Sequence, residues 1–119
     1  MNYSHTDTDL PIEDKYPKLV RDKIPELVES QNKKATVRIL TDDNEYLNFL
    51  LSKLVEEATE LANAKSEDNQ LEELADVLEV VEAIIVLKKL NQSDISKIQD
   101  QKRQERGGFK ERLLMLSKP

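Results

Sequence analysis

The chain is 119 residues long, carries a formal net charge of -6 and contains no cysteine. Its length fits one domain with a modest core. The acidic balance argues against nucleic acid as a partner, and the missing thiols exclude disulfides, thiol catalysis and thiolate zinc sites. Charged residues make up 35% and aromatics 4%, with two glycines and four prolines, which points to an all-α protein packed by aliphatic side chains. No apolar run reaches membrane-spanning length, and the acidic start lacks the basic and apolar regions of a signal peptide. A soluble, cytoplasmic protein with no membrane partner is expected.

Residues 1–16 are polar, acidic and without period, so they read as a flexible leader in which His5 has no role. Residues 17–119 form the expected domain. Asp22 reads as an N-cap and Pro25 falls in a first turn, which predicts a first helix over residues 23–31. Arg21 and Lys23 sit at its start, where they suit either a phosphate contact or a solvated cationic cap. Residues 35–40 (ATVRIL) alternate and are β-branched, predicting a short strand. Its proposed partner is residues 109–116 (FKERLLML), giving at most one two-stranded ribbon.

A capping box of Asp42 with Glu45 opens a second helix over about residues 42–65, with Leu47, Leu50, Leu51, Leu54, Ala58 and Leu61 on its apolar face. The turn at 66–69 (SEDN) ends it. A third helix follows over about residues 69–90, with Leu71, Leu74, Val77, Leu78, Val81, Ile84 and Ile85 expected inward. Val80 and Val86 widen that arc beyond one face, which predicts burial on two sides. The expected assembly is a homodimer or homotetramer built on an oligomeric four-helix core, with Val80 and Ile84 at the interface. Asn91 reads as the stop of the third helix and Ser93 as the cap of a fourth that runs to about Arg106. Gly107 and Gly108 then sit among Lys102, Arg103, Arg106 and Lys110. Adjacent glycines there suit a phosphate nest or an ordinary helix stop equally well.

The chemistry concentrates in residues 53–81. Glu57 with Glu60, and Glu73 with Asp76, are two acid pairs each spaced by three residues, with twelve residues between the pairs. Positions three apart share a helix face. A hairpin of the second and third helices therefore brings the four carboxylates together. Glu57 lies beside Leu50, Leu54 and Leu61, and Glu73 beside Val77, Val80 and Ile84. A bare carboxylate on an apolar stripe is costly unless it is paired or binds a metal. Oxygen ligands in that number suit Mg2+, with Mn2+ as the alternative. A charged hairpin with acids paired to Lys53 or Lys65 is the plainer reading.

The order ExxE, spacer, ExxD resembles the signature of the all-α NTP pyrophosphohydrolases, the MazG-like and phosphoribosyl-ATP pyrophosphohydrolase-like superfamily. Residues 18–28 (KLVRDKIPELV) and 106–109 (RGGF) extend the resemblance over most of the chain. It implies hydrolysis of a nucleoside triphosphate between the α- and β-phosphates, releasing a monophosphate and pyrophosphate. Within the superfamily the flanking blocks look closer to a housekeeping enzyme than to the histidine-pathway one. A non-catalytic module that senses nucleotide or oligomerises is the reading from another class. No Ser/His/Asp or Cys/His arrangement exists, so water attack assisted by a carboxylate-held metal is the expected chemistry. Glu57, Glu60, Glu73 and Asp76 are the expected ligands. Glu56 or Glu60 is the candidate base. Arg21, Lys23, Lys53, Lys102, Arg106, Gly107 and Gly108 are the candidate phosphate contacts.

Overall fold

The computed structural model describes residues 16–119, so His5 and all of the leader but Tyr16 lie outside the described residues. Those described form four helices and no strand: α1 (Ile24–Glu29), α2 (Asp43–Asn63), α3 (Glu67–Leu87) and α4 (Gln92–Arg106). They fall into two compact units, the first running through Lys88 and the second from Lys89 to Pro119. The first contains α1, α2 and α3; the second contains α4.

The first unit is built on the α2–α3 pair. Asp42 caps α2 by accepting from the Glu45 N–H at 2.9 Å. The reciprocal half of the expected capping box is absent, because the Glu45 carboxylate turns to the Arg38 guanidinium, with contacts of 3.0 and 3.1 Å. Ser66 caps α3 in the same way, accepting from the Asn69 N–H at 3.1 Å. Three residues, 64–66, separate the helices, so their axes must reverse into a hairpin.

Several expected boundaries move. Asp22 is not the cap of α1; that position falls to Lys23, with no side-chain cap. Asn91 does not close α3, which ends at Leu87. It caps α4 instead, accepting from the Ser93 N–H, so Ser93 is inside the helix and not its cap. The expected ribbon does not form. With no strand to pair with, residues 35–40 stay irregular and leave Val37 and Ile39 exposed; Leu113, Leu114 and Leu116 are likewise exposed.

The buried set is small and unusual in kind. Among the described residues only Leu50, Glu57, Glu60, Glu73 and Val80 are buried, and three of the five are glutamates. Leu71, Leu74 and Leu78, expected inward, are exposed at 69%, 48% and 66%. At about 100° per residue, Glu73, Val77, Val80 and Ile84 form one stripe of α3, and Leu71, Leu74 and Leu78 form another well round the helix. The first stripe holds Glu73, the one fully buried side chain among the described residues, so Val80 belongs to the interior of the hairpin and not to a surface awaiting a partner.

Candidate metal centre

Glu57 and Glu60 are one turn apart on α2, and Glu73 enters from the second turn of α3. The ends of these three side chains offer carboxylate oxygens that all lie within 4.8 Å of one another, and all three residues are buried. The sequence placed Glu57 and Glu73 on apolar stripes; the hairpin brings the stripes face to face. Leu50 and Val80 complete the buried interior of the pair.

Electrostatics make this arrangement costly as it stands. Read as carboxylates, both oxygens of Glu73 and Oε2 of Glu57 are buried with no hydrogen-bond donor. Glu57 Oε1 has a cation, Lys53 Nζ, at 3.4 Å. Burial pushes the Glu60 carboxyl up to about 9, helped by the Glu57 charge and by hydrogen bonding to Glu73 and Glu57. Glu73 rises to about 7, again chiefly through burial; a hydrogen bond with Glu60 opposes the rise, while Glu57 and Asp76 add to it. Facing carboxyl oxygens are relieved either by retaining a proton between them or by binding a cation. Three converging buried carboxylates with orphaned oxygens fit a hard divalent ion of the Mg2+ or Mn2+ kind.

Asp76 is the expected ligand that does not join the cluster. Its Oδ1 accepts from Arg21 Nη2 at 2.6 Å, and Arg21 Nη1 lies 4.0 Å from Glu79 Oε1. Glu56 is also outside, held by Lys53 Nζ at 3.2 Å and Lys18 Nζ at 3.9 Å. A cavity of about 210 Å³ opens beside it, between residues 17–19 and Phe49, Ser52 and Lys53.

The candidate phosphate contacts divide. Arg21 and Lys53 flank the acids, as above, and Lys23 is exposed at the start of α1. Lys102, Arg106, Gly107 and Gly108 lie in the second unit, at the end of α4 and just beyond. Gly107 has φ of 81° and donates its N–H to the Arg103 carbonyl at 2.8 Å. That N–H is used in ending the helix, so it is withdrawn from the expected nest. A Cβ at either glycine would meet nothing within 4 Å, so the backbone conformation at Gly107, not crowding, favours glycine there.

Sequence reasoning missed Lys18 as a neighbour of the acids and missed Arg21 as the partner of Asp76. Neither pairing has a signature in the sequence, since each joins the segment before α1 to a distant helix.

No family model matches the chain, and no solved structure matches it. Over 54 residues the chain is 46% identical to an uncharacterized protein of Mycolicibacterium smegmatis, a match covering 45% of this chain and 54% of that protein. The chain thus spans about half the length of the curated relative it matches. No helix among the described residues is long and apolar enough to cross a membrane.

Proposed function

We propose that the protein is a divalent-cation-dependent nucleoside triphosphate pyrophosphohydrolase of the MazG-like kind, acting on NTPs or dNTPs in a housekeeping role. The observation that carries the reading is the buried trio of Glu57, Glu60 and Glu73, whose orphaned oxygens make a cation the natural fourth party. The order ExxE, spacer, ExxD and the flanking blocks at residues 18–28 and 106–109 support the same class.

In this reading the three glutamates hold Mg2+ or Mn2+, which when bound neutralises phosphate charge and lowers the pKa of a coordinated water. Glu56 is the better candidate for taking the water proton, because it stands outside the cluster beside the cavity. Lys53 and Lys18 orient its carboxylate, and Lys53 also borders Glu57. Arg21 and Lys53 are the nearest cations for the phosphates. The second stripe of α3, with Leu71, Leu74 and Leu78, suits a homodimer or homotetramer.

The test is a panel of NTPs and dNTPs incubated with the purified chain and Mg2+ or Mn2+, with pyrophosphate as the readout. Pyrophosphate with matching monophosphate is expected, and Glu73→Gln should abolish it while leaving the helical circular dichroism intact. Release of orthophosphate alone, or no release with either cation, would sink the proposal.

A further inference from the structure

Arg21 lies three residues before α1, in a segment tied to the helix by the Ile24 N–H to the Arg21 carbonyl at 3.0 Å. Its side chain is more than half exposed, yet it makes the shortest ion pair among the described residues, 2.6 Å to Asp76. Asp76 lies three residues after Glu73, on the same side of α3, with its side chain 34% exposed. Arg21 Nη1 also lies 4.0 Å from Glu79 Oε1, so the guanidinium spans Asp76 and Glu79 on α3. Glu73 itself is fully buried and has neither oxygen paired.

These contacts divide four neighbouring acids between two fates. Glu57, Glu60 and Glu73 face one another, with both Glu73 oxygens and Glu57 Oε2 unpaired; the fourth acid, Asp76, is neutralised by an arginine on a separate segment. A hard divalent ion takes six or more oxygen ligands and gains from a fourth carboxylate. An exposed ion pair contributes little to stability, so a divalent ion held by the three glutamates would compete with the guanidinium for Asp76. Arginine's planar fork is then free for phosphate oxygens, which it binds in two-pronged fashion.

Building on the cation-dependent reading above, we infer that Arg21 is a positioning residue that exchanges partners. Without cation it holds Asp76 outside the cluster; on cation binding Asp76 becomes the fourth carboxylate ligand and Arg21 turns to the substrate phosphates. The same residue thus weakens cation binding to the free protein and strengthens binding of an anionic substrate to the loaded one.

The experiment is calorimetric titration of Mn2+ into the full chain, for wild type, Arg21→Gln, Arg21→Lys, Asp76→Asn and the double variant Arg21→Gln/Asp76→Asn. Arg21→Gln should bind Mn2+ about threefold to fivefold more tightly, the factor set by releasing an exposed ion pair. Arg21→Lys should fall between it and wild type. Asp76→Asn should bind more weakly, and in that background Arg21→Gln should bring no gain. A gain of equal size in both backgrounds is generic charge repulsion and overturns the exchange. Unchanged or weaker binding by Arg21→Gln overturns it as well, leaving Arg21 a purely structural partner. Steady-state kinetics supply the second arm: at saturating Mn2+ the KM for nucleotide should rise in Arg21→Gln with kcat less affected. A wild-type chain that takes up neither Mn2+ nor Mg2+ removes the cation reading itself, an outcome distinct from failure at Arg21.

Discussion

Glu73 is the one fully buried side chain among the described residues, and that decides how the protein should respond to acid and to mutation. Both Glu60 and Glu73 bind a proton more tightly folded than unfolded, because burial penalises their charged forms. The folded chain therefore carries more protons, and cation-free stability must fall as pH rises. The decline starts above the ordinary carboxyl value of 4.5 and is complete near 7 for Glu73 and near 9 for Glu60. Urea midpoints taken across that range without divalent ion should drop steadily; a flat or rising series would contradict the buried cluster. Glu60→Gln, which keeps the shape and removes the charge, should flatten the upper part of the curve. Saturating Mg2+ should flatten it too, by binding only the folded state.

The helices were the part of the structure most open to reading in advance. Asp42 and the 66–69 turn marked the ends of α2 and α3 because caps are local: a side-chain oxygen and an N–H a few residues away. Replacing Ser66 with Ala should cost about 1 kcal/mol in a denaturant titration, as losing a cap usually does. Leu50→Ala, at the centre of the buried face, should cost about 2–5 kcal/mol. A loss below that range would mean that the hairpin collapses around the gap. The acids Glu57 and Glu73 were legible for a related reason: helical spacing alone places them among leucines and valines. The pairing of Asp76 with Arg21 was not legible, because the two are 55 positions apart and no periodicity reports a contact between a pre-helical segment and a helix. The strand at residues 35–40 failed for the converse reason. Its alternation was real, but a strand needs a neighbour, and the described residues form none.

At the scale of the molecule, apolar side chains outnumber the places the hairpin has for them. Leu71, Leu74 and Leu78 on α3 and Leu51 and Val55 on α2 are exposed although both helices are long and otherwise regular. A wide apolar arc that the chain does not cover itself is characteristic of helices that pair between subunits. Light scattering should therefore report at least a dimer at micromolar concentration. Leu74→Glu combined with Leu78→Glu should shift it to monomer, since charges opposed across such an interface cost far more than they do in water. A wild-type chain that runs as a monomer at that concentration would refute the assembly.

Burial raises the Glu60 and Glu73 carboxyls to about 9 and about 7, so a cation site built on them, as proposed, would be an acid in its own right. A divalent ion can enter only as the carboxyls give up hydrogen, so loading near neutral pH should expel roughly one to two protons per ion. Heats of binding measured in buffers of different ionisation enthalpy should then differ by that number, and the discrepancy should fade only well above the Glu60 value of about 9, where the carboxyls are bare. Acidification would act as a competitor for the metal, and a fall of one pH unit near neutrality should weaken loading by about tenfold or more. In the proposed cation site, ion supply and acidity would thus set loading jointly.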